Sequence, residues 1–125
     1  MGANFMGQTV HLTAADGHTL SAYRADPDGR PKGGLVVIQE IFGVNAHIQE
    51  VCNGFAADGY VAIAPALFDR AERDVDLGYE EEDRQKGMGL RAQTDWVDNV
   101  QDAIAARNAI KDAGKAGIVG YCFGG

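Results

Sequence analysis

The chain has 125 residues, 46% of them hydrophobic and 23% charged, with a formal net charge of −7. Its length and apolar content suit one compact domain or part of a larger one, and they exclude a disordered chain. An acidic balance with scattered Lys and Arg offers no basic face for a phosphate backbone, so no nucleic-acid partner is expected. No segment approaches the roughly 20 apolar residues of a membrane span, so no membrane partner is expected either. Residues 1–7 lack the cationic start and apolar core of a secretory signal.

In chain order, Val10 and Leu12, then Leu20 and Ala22 beyond Asp16-Gly17, alternate with polar residues. That period of two around an Asp-Gly turn predicts an antiparallel hairpin. Asp26-Pro27-Asp28-Gly29-Arg30-Pro31 combines proline with turn formers and reads as a surface loop. Gly34-Leu35-Val36-Val37-Ile38-Gln39-Glu40 is then a continuous apolar run, the mark of a strand buried on both faces of a parallel sheet. From Asn45 the period changes. Ile48, Val51, Cys52, Phe55 and Ala56 form one helical stripe, with Asn45 as N-cap and Gly59 as stop. Tyr60-Val61-Ala62-Ile63-Ala64, ended by Pro65, is a second buried strand, which completes a βαβ unit with a right-handed crossover.

Residues 69–89 hold many acids and no apolar period, and read as a solvated loop rather than a substrate-contacting lid. A long amphipathic helix is expected over residues 93–113, with Val97, Val100, Ile104 and Ile110 as its buried stripe and Gly114 as its stop. Ala116-Gly117-Ile118-Val119-Gly120 forms a last strand. Alternating strands and helices predict an α/β fold with a mainly parallel sheet and an N-terminal antiparallel hairpin.

The strand at residues 116–120 runs into Gly120-Tyr121-Cys122-Phe123-Gly124, a G-x-nucleophile-x-G elbow with cysteine in the serine position. Glycines two positions either side of the nucleophile remove Cβ atoms that a sharp strand-to-helix turn would bring into contact. Such a turn aims the nucleophile outward and leaves backbone N–H groups free at a helix start. These groups stabilise an oxyanion, and the same positive end lowers a thiol pKa. Elbow geometry makes Ile41 one oxyanion donor and Phe123 the other. Glu40 closes an apolar strand at the sheet edge where α/β active sites gather, and a carboxylate there is placed to take a thiol proton or to hold the cysteine neutral until substrate arrives, the plainer alternative being a solvent-facing strand end. Cys52, on the apolar stripe of its helix, reads as core. It lies 70 positions from Cys122 without a CxxC or Cys/His spacing, so no metal site is expected, and a reduced, cytoplasmic setting follows.

Gln39-Glu40-Ile41-Phe42-Gly43, Gly59-Tyr60-Val61-Ala62-Ile63-Ala64-Pro65 and Gly120-Tyr121-Cys122-Phe123-Gly124-Gly125, in that order and spacing, resemble the dienelactone hydrolase family, the carboxymethylenebutenolidases. The resemblance covers nearly all of the chain past Gly33. It implies an α/β-hydrolase that opens cyclic enol lactones and related esters in aromatic-compound degradation without metal or organic cofactor. It places the nucleophile on Cys122 and its carboxylate neighbour on Glu40. Family members hold the substrate carboxylate with arginines, a role that falls on Arg84, although an exposed surface arginine is the plainer reading.

In α/β-hydrolases the acid and histidine follow the nucleophile. His11 and His18 lie in the hairpin and His47 in the first helical turn, so none is a triad candidate. Residues 1–125 therefore read as the N-terminal half of a single α/β-hydrolase domain, cut after the nucleophile elbow. A complementing C-terminal segment or a homo-oligomer is expected to complete it. Three functions stay open: a cysteine-dependent hydrolase of dienelactone-type lactones, a broader esterase or thioesterase on the same scaffold, or an inactive half acting as an association module.

Overall fold

The computed structural model describes residues 7–120. Strands β1 (Gln8–Thr13) and β2 (Thr19–Ala25) pair antiparallel, with Val10 opposite Ala22 and Leu12 opposite Leu20. The period-two residues thus share one face, and Gly17 turns the chain at a φ of 89°. Strands β3 (Gly33–Ile38), β4 (Tyr60–Pro65) and β5 (Ala116–Gly120) are parallel to one another, and β2 joins β4 antiparallel. The result is one five-stranded mixed sheet in the order β1-β2-β4-β3-β5.

Helix α1 (Ala46–Ala57) connects β3 to β4. The Asn45 side chain accepts a hydrogen bond from the Ile48 N–H, and Gly59 leaves the helix at a φ of 102°. Alternate residues of β3 and β4 feed opposite layers, as the pleat requires. Val37, Ala62 and Ala64 pack with Ile48, Cys52 and Ala56 under α1. Val36, Ile38, Val61 and Ile63 pack with Leu12, Leu20, Ala106 and Ile110 on the other face. Burial on both faces is why these two strands are continuous apolar runs.

The second half departs from expectation in two places. Residues 69–89 are not one loop: Leu67–Arg70 form a 3-10 turn, and Glu81–Gln93 form helix α2. A reciprocal capping box between Glu80 and Asp83 starts α2, with Glu81, Glu82 and Asp83 in its positive first turn. Only Gly87 and Leu90 of α2 are buried, so the helix leaves almost no apolar period in the sequence.

The expected helix over 93–113 is divided. Helix α3 spans Trp96–Ala109 behind an Asp95 N-cap, and a 3-10 turn at Lys111–Ala113 leads to Gly114 at a φ of 108°. Ile110 is buried, but Val97, Val100 and Ile104 are 58%, 37% and 48% exposed. The residues that α3 buries are Asp102 and Ala106. The guanidinium of Arg70 donates to both carboxylate oxygens of Asp102 at 3.0 and 2.9 Å, which neutralises the charge that enters the core. β5 forms over the expected residues. Its Ala116, Gly117 and Ile118 are exposed, and among the described residues it pairs only with β3, at the end of the sheet.

The turn after β3 carries a glycine that the geometry requires. Gly43 has a φ of 84°, and a Cβ there would lie 2.5 Å from the Val75 carbonyl oxygen. Gly43→Ala is expected to destabilise the fold by at least about 1–3 kcal/mol, the usual scale of left-handed strain, before the contact is counted. Urea unfolding checks this, and an unshifted midpoint would remove the requirement.

Candidate active site

The site is built at the C-terminal ends of β3 and β5. Their register sets Ile38 opposite Gly120. Glu40 follows two residues after Ile38, and Cys122 two residues after Gly120. Cys122 and Phe123 lie outside the described residues, so their expected roles rest on the sequence.

Beyond Ile38 the chain folds into a tight turn. The Gly43 N–H donates to the Glu40 carbonyl at 3.2 Å, closing an isolated bridge between these residues. A second segment holds this turn from outside. Gly43 bridges to Asp76, Leu77 N–H donates to the Phe42 carbonyl, and the rings of Phe42 and Tyr79 meet edge-on at 4.5 Å. Asn45, already the cap of α1, also donates to the Leu77 carbonyl and the Tyr79 hydroxyl. The turn is thereby fixed on both flanks.

The Glu40 side chain is the unusual group. Its Oε1 is shielded from solvent and has no hydrogen-bond partner among the described residues. A carboxylate oxygen deprived of both water and donors is costly to keep. Among the described residues, the Ile41 N–H likewise makes no hydrogen bond. An acceptor and a donor are therefore left open at adjacent residues.

Arg84 is exposed on α2 and pairs with Glu81 at 3.5 Å. Three residues further along the same helix, Gly87 packs its backbone against Ile41. His11 lies exposed on β1, His18 beside the hairpin turn, and His47 exposed in the first turn of α1. Cys52 is fully buried under the sheet, and burial pushes its thiol up to about 12. It stays a neutral thiol at ordinary pH and is not a nucleophile. The site residue that pattern reading passed over is Gln39, quoted only as part of a motif. Its side chain is fully buried and hydrogen-bonds at both ends.

Parallel strands β4-β3-β5 flanked by α1 on one face and α3 on the other, with the open acceptor and donor beyond β3, define an α/β-hydrolase fold. The sequence profile described as the dienelactone hydrolase family matches residues 20–125, and the chain belongs to that family. It is 35% identical over 121 residues to the carboxymethylenebutenolidases of Pseudomonas putida and Pseudomonas knackmussii, covering 93% of this chain and 51% of each relative. The structure is similar to a dienelactone hydrolase-like promiscuous phosphotriesterase from metagenomic libraries, with a TM-score of 0.64 and 26% identity. That match covers 95% of this chain and 51% of the other. An esterase from Pyrococcus furiosus shares the fold at a TM-score of 0.62 and 19% identity, over 96% of this chain and 43% of the other. The chain thus spans about half the length of the curated Pseudomonas relatives.

Proposed function

We propose that this chain carries the nucleophile half of a cysteine-dependent hydrolase of dienelactone-type lactones or related esters. The observation that carries the reading is the shielded, unpartnered Glu40 Oε1 at the end of β3, one strand away from the strand that leads into Cys122. In this reading Glu40 accepts the thiol proton, and the Cys122 thiolate adds to the carbonyl carbon. The carbonyl oxygen takes the charge and is met by the N–H groups of Ile41 and Phe123. Expulsion of the alkoxide or enolate leaves a thioester on Cys122, which water hydrolyses with a histidine–acid pair as general base. That pair belongs to the second half of the family fold, supplied by a further segment or another chain.

The exposed apolar face supports the need for that half. A groove of 770 Å³ between α2, α3 and the edge of the sheet is lined by Ile38, Leu67, Met88, Trp96, Val100 and Ile118, with Arg91, Thr94 and Asn99 among them. Trp96 is 77% exposed and Ile118 66% exposed. A patch of this kind beside a strand edge unpaired among the described residues is unfavourable in water and invites a covering segment.

Substrate class is tested with the completed enzyme, meaning this chain joined to the second half of the fold. We assign Arg84 to the substrate carboxylate, because it lies one turn before Gly87 on the helix that meets the Ile41 turn. Arg84→Ala should raise KM about tenfold or more for a carboxylate-bearing dienelactone, as loss of a charge-assisted contact does. It should leave a neutral aryl ester unaffected. Equal kinetics on both substrates would assign the scaffold to broad ester or thioester hydrolysis, and Arg84 to the surface. Stable self-association without any ester turnover would leave only the association module.

A further inference from the structure

The Ile41 N–H can act as a fixed donor only if the peptide that carries it cannot turn. That peptide joins the Glu40 carbonyl to the Ile41 N–H, and in a trans peptide the two point in opposite directions. Holding the carbonyl therefore aims the N–H. The structure holds it twice. Gln39 Nε2 donates to the Glu40 carbonyl at 3.1 Å, and the Gly43 N–H donates to the same oxygen at 3.2 Å.

Gln39 is itself clamped. Its Oε1 accepts from the Leu67 N–H at 2.9 Å, and the side chain is fully buried, so the amide has no freedom to reorient. Leu67 opens the 3-10 turn directly after β4. One glutamine thus ties the turn after β3 to the end of the neighbouring parallel strand. The next peptide is blocked from the other side. A Cβ at Gly87 would collide with the Ile41 carbonyl oxygen and lie 3.3 Å from the Ile41 Cβ. Helix α2 reaches the turn only because residue 87 has no side chain.

We propose that Gln39 and Gly87 are positioning residues that aim the Ile41 N–H at the oxyanion, fixing the peptides before and after Ile41. The inference rests on the assignment of Cys122 and Ile41 made above. It adds that α2 and the end of β4, neither of which contributes a reacting group, set the strength of the oxyanion site. A donor fixed in advance stabilises the developing charge without reorganisation during the reaction, and a displacement of about 1 Å removes up to a hundredfold in rate.

The test compares two alanine variants of the completed enzyme. Gly87→Ala introduces the Cβ that meets Ile41, whereas Gly89→Ala, on the same helix, meets nothing within 4 Å. Both substitutions raise helix propensity, so a loss specific to Gly87→Ala does not come from a weakened helix. Gly87→Ala should lower kcat about tenfold to a hundredfold with KM little changed, and should weaken a trifluoromethyl ketone that forms a tetrahedral thiol adduct by a similar factor. Binding of a non-reacting neutral analogue, which does not engage Arg84 on the same helix, should be unaffected, and Gly89→Ala should match the unsubstituted enzyme. Gln39→Met, close in volume but without either hydrogen bond, should repeat the kcat loss. Unchanged kcat in Gly87→Ala, or equal weakening of the ketone and the neutral analogue, would overturn the positioning role while leaving Cys122 chemistry intact. An unsubstituted enzyme with no ester turnover would overturn the proposed function, and the positioning role with it.

Discussion

Cys122→Ala in the completed enzyme should abolish turnover, with kcat falling at least about 10³–10⁴-fold, the usual effect of removing a covalent nucleophile. The remaining rate should come from substrate binding and the oxyanion donors alone. Cys122→Ser should retain a small activity, because the hydroxyl sits at the same elbow but is far less acidic than the thiol. The size of that residue reports on Glu40. A carboxylate that takes the proton helps a thiol strongly and an alcohol little, so Glu40→Gln should depress the cysteine enzyme more than the serine variant. Steady-state rates on an aryl ester for these proteins check the assignment. Equal activity of Cys122→Ala and the unsubstituted enzyme would end it.

The largest expected stability effect lies away from that site. Asp102 is fully buried on α3, and Arg70 binds it through two nitrogens while also donating to Asp16 at 2.8 Å. Arg70 keeps Asp16 when Asp102 is removed, but removing Arg70 strands the fully buried Asp102 charge, so Arg70→Met should cost about 3–5 kcal/mol in urea unfolding. Arg70→Met with Asp102→Leu together should cost clearly less than the two single changes added, because neither leaves an unpaired charge. Additive losses would show that the pair is not coupled. The exposed arm of the network behaves differently. Hydrogen bonding to Arg70 lowers Asp16 from 3.8 to about 2. Its stabilisation is therefore present above pH 4 and disappears as pH falls through 2.

That network also explains where pattern reading failed. Local signals located β1, β2, β3, α1 and β4 because each carries its own instructions: period two around Asp16-Gly17, apolar runs, and an Asn45 cap with a stripe from Ile48 to Ala56. Helix α3 gives opposite signals. Its most apolar residues, Val97, Val100 and Ile104, face outward, while an aspartate faces the core. Only Arg70, 32 residues earlier, makes Asp102 a core residue, and spacing along α3 holds no trace of that pairing. Helix α2 was missed for a related reason. Caps and first-turn charge start it, and the face it presents to the turn after β3 is a glycine.

The candidate site divides along the same line. Glu40 and Ile41 could be proposed from the sequence because they follow the end of an apolar strand, and Cys122 from its glycine-flanked motif, which lies outside the described residues. Gln39 and Gly87 were not, since their partners Leu67 and Ile41 lie 28 and 46 residues away in the chain. Arg84 was located in sequence as part of a loop and stands in the structure on a helix.

The central claim is that Cys122 becomes acylated. The most direct measurement mixes the completed enzyme with an activated aryl ester, quenches it in acid within the first turnover, and maps the added mass by peptide mass spectrometry. The account predicts an acyl group on the peptide containing Cys122, absent from the Cys52 peptide and lost in Cys122→Ala. Ester turnover with no adduct on Cys122 at any quench time, and unchanged by Cys122→Ala, would contradict it.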